Sequence, residues 1–269
     1  MDRRPIGIFD SGVGGLTVLK QIKNLLPDES IIYLGDTKHL PYGDKSKEAI
    51  IRFSIENSKF LVRYGVKAIV IACNSASSVA VETLKEMFKI PIIDVIEPTV
   101  ECISKNPPSS ILIIGTVRTI ASGVFAKKVS AIDTNIKVFG KACPLFVPLV
   151  EEGAFANKNT YLYKSLRNAI VHYLEEFRGK VNSVVLGCTH YPLIKDEIKE
   201  FMGNVKLIDP GECAGIKLKK VLEEKNMLSD GNERTEKFFV TDLSERVRQV
   251  AQVILNDNID IEEVYISDF

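Results

Sequence analysis

Two cysteines occupy matching places in this chain, and their surroundings are those of reactive thiols. Cys73 ends the apolar run Ala68-Ile69-Val70-Ile71-Ala72 and is followed by Asn74-Ser75-Ala76-Ser77. Cys188 ends Ser183-Val184-Val185-Leu186-Gly187 and is followed by Thr189-His190-Tyr191-Pro192. Each run reads as a buried strand that delivers a thiol to its carboxyl end, with small polar residues opening a helix behind it. Ligands of open α/β sheets bind outside the carboxyl ends of the strands. Two thiols on two such ends imply chemistry applied to one substrate from two sides. Taken singly, a buried cysteine is more often a small hydrophobe. Two of them beside helix N-termini reverse that preference, because a helix N-terminus lowers thiol pKa and the thiolate is the reactive form. Cys102, Cys143 and Cys213 lack this context and read as packing residues.

Other polar residues gather around the same strand ends. Gly7-Ile8-Phe9-Asp10-Ser11-Gly12-Val13-Gly14-Gly15 is a strand-to-helix turn whose glycines let backbone N–H groups approach an anion. It is not a nucleotide loop. Thr17 stands where a dinucleotide fingerprint needs its third glycine, and no Gly-Lys-Ser/Thr follows. A carboxylate is the better-sized guest, and the competing reading is that Asp10 merely caps the helix. His190, two residues after Cys188, is placed either to assist that thiol or to serve as a hydrogen-bonded helix-start residue. His172 lies amid Val171 and Tyr173 on a helix and reads as structural. The loop His39-Leu40-Pro41-Tyr42-Gly43 leaves the same sheet edge and is expected to wall the pocket. Of the acid pair Glu151-Glu152, one is expected to point inward, and spacing does not decide which.

The elements that must position these residues alternate between short apolar runs and helical periodicity, the pattern of a parallel sheet with crossover helices. Strands are expected over 6–9, 31–34, 68–72 and 92–95, and again over 110–114, 136–139, 183–186 and 205–208. The two sets run in step, and the third strand of each carries the cysteine. The chain therefore reads as two similar doubly wound α/β domains related by pseudo-two-fold symmetry, an arrangement that turns both thiols toward one cleft. Asn106-Pro107-Pro108-Ser109 marks the first boundary. After Asp209-Pro210-Gly211 come a helix to about Lys225, a polar turn at 229–232, a strand over 238–241 and a final helix. This tail is expected to return to the first half. The domains are thus residues 1–98 with 212–269, carrying Asp10 and Cys73, and residues 99–211, carrying Glu151, Cys188 and His190.

Composition sets limits on partners and compartment. The 269 residues carry 35 basic and 35 acidic side chains, so net charge supplies no reason to expect nucleic acid or a membrane surface as partner. No apolar run approaches the roughly 20 residues that span a bilayer. Five cysteines without a Cys-x-x-Cys pair fit free thiols in a reducing compartment, and a cytoplasmic protein is expected. Three scattered histidines do not complete a zinc site with these cysteines, so no metal is expected.

Taken together, Phe9-Asp10-Ser11-Gly12-Val13-Gly14-Gly15, Ala72-Cys73-Asn74-Ser75-Ala76 and Gly187-Cys188-Thr189-His190-Tyr191-Pro192 resemble the glutamate racemase family. Pro41-Tyr42-Gly43 and Val150-Glu151-Glu152-Gly153 agree in order and spacing, and the match runs from Pro5 to at least Asp209. One departure is Ser75, where many members have threonine. It keeps the hydroxyl and loses a methyl. The resemblance implies racemisation of L- and D-glutamate without a cofactor, supplying D-glutamate for peptidoglycan, in an enzyme that is commonly a homodimer. It implies that Cys73 and Cys188 are the catalytic acid and base, assisted by Asp10, Glu151 and His190, and it favours Glu151 over Glu152. Ser11, Tyr42, Gly43, Asn74, Ser75 and Thr189 match its substrate-binding positions, with Asp10 and His190 beside them, and Thr116 and Thr119 are candidates to join them.

Elementary chemistry agrees with this reading. Racemisation removes a proton from one face of Cα and delivers another to the opposite face, a task suited to one thiolate and one thiol on opposed halves. A free thiol of pKa about 8.5 is only a few per cent thiolate at neutral pH, so its neighbours must assist. Three rival readings remain at this stage. They are a racemase of the same architecture acting on aspartate or another small carboxylic acid, a hydrolase or transferase using one cysteine with His190 as base, and a non-catalytic module that binds a small anion.

Overall fold

Continuous runs of branched apolar residues form strands covered on both faces, as a parallel sheet with helices on either side requires. The computed structural model describes residues 1–266 and contains ten strands among them. These are β1 (Ile6–Asp10), β2 (Ile31–Gly35), β3 (Ala68–Ile71), β4 (Ile92–Asp94), β5 (Ser110–Gly115), β6 (Lys137–Ala142), β7 (Ser183–Gly187), β8 (Lys206–Ile208), β9 (Glu236–Val240) and β10 (Ile261–Glu263). Every residue of β1, β2, β3, β5 and β7 is buried.

The strands form two sheets, ordered β10-β9-β2-β1-β3-β4 and β6-β5-β7-β8, and all their pairings are parallel. The segment β2-β1-β3-β4 has the same order as β6-β5-β7-β8, so the expected repeat is present in the topology itself. Side chains alternate between the faces of each sheet. Ile6, Ile8, Ile31 and Tyr33 enter one apolar layer, and Phe9, Ile32, Leu34 and Ile69 the opposite one. In the second sheet Leu112, Ile114 and Leu186 face one layer, while Ile111, Ile113 and Val185 face the other.

The tail returns to the first sheet. Helix Pro210–Glu224 packs on helix Leu16–Leu25 at a glycine contact, since a Cβ at Gly215 would lie 2.8 Å from Leu25 Cδ1. β9 then pairs with β2, Ile31 opposite Glu236. Two expectations need correction. β6 runs from residue 137 to 142 rather than 136 to 139, because this half-exposed edge strand lacks the apolar run that marks a central one. β10 was not anticipated: of its three residues only Ile261 is buried, so its sequence carries no strand pattern. Among the described residues no helix is long and apolar enough to cross a membrane.

Candidate active site

The register of the two sheets brings the proposed chemistry to one level. Asp10 lies opposite Gly35 and Phe9 opposite Ile71, so Ser11 and Cys73 emerge beside each other past the ends of β1 and β3. In the second sheet Gly115 lies opposite Gly187, which sets Thr116 abreast of Cys188. The two edges face a narrow cleft of about 30 Å³ lined by residues of both halves, among them Ser11, Cys73, Asn74, Thr116, Cys188 and His190. Ser75, Glu151, Thr189, Tyr42 and Gly43 complete the polar part of its wall. A larger cleft, of about 540 Å³ and lined by Lys85, Glu97, Arg118 and Lys128 among others, contains no thiol.

The glycine turn is built around Asp10 rather than around an external anion. Asp10 is fully buried, and its Oδ2 accepts hydrogen bonds from the N–H groups of Gly12 and Gly15, each at 3.0 Å. Two of the N–H groups expected to face a ligand are therefore occupied by the protein's own carboxylate. Burial pushes the Asp10 carboxyl up from its ordinary value, while the charge of His190 and the N–H groups of Gly15, Gly12 and Ser11 act in the opposite direction. Its second oxygen has no hydrogen-bond partner, and the carboxyl lies beneath the cleft instead of lining it.

Thr17, the residue that breaks the nucleotide fingerprint, has a task of its own. Its hydroxyl donates to Thr189 O at 2.8 Å and approaches Gly14 O at 2.9 Å, tying the turn of the first half to the thiol loop of the second. Gly14 sits at that junction. A Cβ there would lie 2.5 Å from Thr189 Oγ1 and 2.6 Å from His190 Cε1.

The two thiols have different neighbours. Cys73 is the N-cap of helix Asn74–Ser77, and its Sγ donates to Ser11 Oγ at 3.6 Å. Burial and the negative charge of Asp10 push its pKa up to about 12, so it rests as a protonated thiol. Cys188 Sγ lies 3.8 Å from His190 Nδ1, and His190 Nε2 lies 3.1 Å from Glu151 Oε1. Burial alone would lower the His190 pKa, but its bonds to Cys188 and Glu151 outweigh that and raise it to about 10. The imidazole is accordingly a cation at neutral pH. The thiols are near enough for the charge of Cys188 to contribute to the raised pKa of Cys73.

Hydroxyls bridge the halves at the far wall. Ser75 Oγ lies 2.9 Å from Thr116 Oγ1 and 3.5 Å from Thr119 Oγ1, and the two threonine oxygens are 3.0 Å apart. Thr119 stands behind Thr116 rather than in the lining. Asn74 Oδ1 is buried without a partner. The turn at Tyr42-Gly43 rests on Thr116, where a Cβ at Gly43 would come within 2.8 Å of Thr116 Cβ.

Several residues that the sequence left open now have positions. Glu151 ends helix Phe146–Glu151 and points to His190, whereas the Glu152 carboxylate is 59% exposed and pairs with Arg246 at 3.0 Å. His39 turns away from the cleft: its Nδ1 is 2.9 Å from Asp36 Oδ1 and its ring stacks on Phe53, so the wall is formed by Leu40 through Gly43. His172 is exposed beside Tyr173 on helix Tyr161–Leu174. Cys143 is fully buried in the second core, and Cys102 and Cys213 meet in an apolar layer under the second sheet. Gly12, Leu40, Pro41 and Val147 also line the cleft. Val147 offers no sequence signal, being one apolar residue of a short helix, whereas Leu40-Pro41 could have been found as the start of the loop already expected to form a wall.

Comparison with known proteins gives a consistent result. A family model described as Asp/Glu/Hydantoin racemase matches residues 6–215. A glutamate racemase of Aquifex pyrophilus is 46% identical over 251 residues, covering 93% of each chain. The crystal structure of glutamate racemase from Francisella tularensis in complex with D-glutamate superposes with a TM-score of 0.91 at 37% identity, covering 100% of both chains. The Thermus thermophilus glutamate racemase, crystallised with beta-chloro-D-alanine, superposes with a TM-score of 0.89, also at 37% identity and 100% coverage of both chains. The chain belongs to the Asp/Glu/hydantoin racemase family.

Proposed function

We propose that this chain interconverts L- and D-glutamate by proton transfer at Cα between two cysteines, without a cofactor. The observation that carries the reading is the pair Cys73 and Cys188, each just past the third strand of a repeated sheet and both lining one cleft. One sulfur, as thiolate, takes the Cα proton and becomes a thiol. The electron pair of the broken C–H bond passes onto the substrate as a carbanion. The opposing thiol then gives its proton to the other face and becomes a thiolate, so each turnover exchanges the protonation states of the two sulfurs. General acid–base catalysis of this kind contributes about 10²–10⁴-fold.

The neighbouring groups have natural parts in this scheme. His190, its pKa raised by Cys188 and Glu151, stands beside a sulfur that carries negative charge at one stage of the cycle. Ser11 and the buried Asp10 hold the corresponding place at Cys73. The unpartnered Asn74 Oδ1 suits the substrate α-ammonium, while Ser75, Thr116, Thr189 and the Tyr42-Gly43 turn offer donors to carboxylate oxygens. Donors aimed at the α-carboxylate stabilise the charge that develops there. On this reading the enzyme is a cytoplasmic homodimer, and its product D-glutamate enters peptidoglycan.

The test is incubation with L-glutamate in D₂O, following optical rotation and deuterium at Cα. Loss of rotation with solvent deuterium in the inverted product is expected, and Cys73→Ala or Cys188→Ala should each abolish racemisation. Activity on aspartate alone would transfer the reading to that substrate. A second reading draws on the order Cys188–His190–Glu151, which is that of a nucleophile, its base and an orienting carboxylate. It requires a covalent adduct and leaves Cys73 idle, so full turnover by Cys73→Ala would decide in its favour.

A further inference from the structure

One buried carboxylate outside the cleft lining is held by three side chains, His39, Tyr42 and Thr241. Asp36 follows β2 and is 1% exposed. Its Oδ2 accepts the Tyr42 hydroxyl at 2.5 Å, and its Oδ1 accepts the Thr241 hydroxyl at 2.9 Å. His39 Nδ1 approaches both oxygens, at 2.9 and 3.1 Å. The Asp36 backbone N–H donates to Asp10 O at 3.0 Å, so the residue is registered directly on the strand that carries the site.

The donors come from two separate places, the loop that carries His39 and Tyr42 and the tail that carries Thr241. Tyr42 belongs to the substrate-facing loop, and its phenolic oxygen also accepts from Asn57 Nδ2 at 3.1 Å on helix Lys47–Arg63. Thr241 belongs to the tail, just past β9. There the Lys38 N–H donates to Thr241 Oγ1 at 3.0 Å, Thr37 Oγ1 donates to Asp242 O at 2.6 Å, and the Asp242 N–H donates to Thr37 Oγ1 at 2.8 Å. The first residues of the loop are thereby fastened to the tail, and Tyr42 is fastened to Asp36.

We propose that Asp36 is a positioning residue for the racemase reaction, acting through Tyr42 to hold the Tyr42-Gly43 turn against Thr116, with the tail residue Thr241 setting the carboxylate. The proposal rests on the glutamate racemase reading for its kinetic consequence, though not for its structural one. A carboxylate is required because every group facing it is a donor. Asparagine at this position would keep one acceptor and turn an NH₂ toward a hydroxyl or imidazole donor. The clearance at the turn is small: a Cβ at Gly43 would already lie 2.8 Å from Thr116, so a minor shift of the loop changes the wall of the cleft. Loss of the anchor should weaken ground-state and transition-state binding alike, the signature of which is a raised KM at little-changed kcat.

The test combines kinetics with hydrogen exchange on the full chain. Asp36→Asn is expected to raise the KM for D-glutamate about tenfold while kcat changes less than about threefold. Tyr42→Phe should move KM in the same direction, and the double variant should be no worse than Asp36→Asn alone, because both remove one linkage. Thr241→Val should give a smaller rise in KM. In the unliganded protein, amides 37–45 of Asp36→Asn should exchange about tenfold faster, with those of β1 and β7 unchanged. A kcat loss at constant KM, full additivity of the double variant, or unaltered exchange in the loop would each overturn the proposal. If the wild-type chain does not turn over glutamate, the racemase reading fails, and the exchange of amides 37–45 still decides the role of Asp36.

Discussion

His190 shows how far one residue can be read and where the reading needs coordinates. Its place two residues after Cys188 marked it as a partner of that thiol, but only the fold brings Glu151 to its other nitrogen. That carboxylate joins Cys188 in raising the imidazole pKa to about 10, against the desolvation that would lower it. The raised value has a consequence for stability. A group whose folded pKa exceeds its unfolded value contributes fully below the unfolded pKa, near 6.5 for histidine, and the contribution is lost as pH rises through the folded one. Stability should therefore fall by about 2–3 kcal/mol between pH 7 and 9, the slope approaching roughly 1.4 kcal/mol per pH unit, through His190 alone. Urea unfolding of the wild type and of His190→Asn across that range checks this: the slope should be present in the first and largely absent from the second. Cys73 adds to the decline once pH passes its unfolded value near 8.5, since burial raises its folded pKa to about 12. Asp36 marks the opposite limit of legibility. An aspartate after a strand carries no pattern that separates it from a surface turn, and its donors lie as far away in sequence as Thr241.

Elements were more legible than their edges. Strands β1, β3, β5 and β7 are short apolar runs, and the residues just past their ends, Ser11, Cys73, Thr116 and Cys188, are the ones that meet in the cleft. β6 and β10 were misjudged or missed because edge strands are half solvated and lose the apolar pattern. The glycine turn after β1 was recognised as an anion cradle, but which anion it holds depends on distances no sequence contains. Its glycines also differ in their reasons. Gly12 faces open space, with only Leu40 Cδ2 at 3.6 Å from a Cβ placed there, whereas Gly14 is pressed against Thr189 and His190 of the other half. Gly14→Ala should thus force the two strand-end loops apart, costing about 1–3 kcal/mol of stability and at least tenfold in kcat/KM. Gly12→Ala should leave stability within about 0.5 kcal/mol of wild type. Thermal unfolding and steady-state kinetics of the two variants compare these outcomes directly, and equal destabilisation would show that the contact at Gly14 is relaxed by movement of its neighbours.

At the scale of the molecule, a repeated β2-β1-β3-β4 order has been converted into one asymmetric site. Symmetry brings two thiols to one level. The departures from symmetry put Asp10 and Ser11 near one thiol and His190 and Glu151 near the other. The cleft is closed by bonds that cross between the halves: Thr17 to Thr189, Ser75 to Thr116, and Arg246 to the backbone oxygen of Glu151. A ligand seated there touches both sheets and should stabilise them as one body. Binding to the native state alone adds about 2.7 kcal/mol at a ligand concentration 100 times its Kd. Scanning calorimetry with increasing D-glutamate should accordingly show a single transition that moves upward as a whole. Two transitions, of which the ligand shifts only one, would mean that the substrate is held by a single half and that the second thiol reaches it from a partner free to move independently. That outcome would break the link between the repeated topology and two-sided proton transfer, because delivery from opposite faces requires both halves to be fixed to the same Cα.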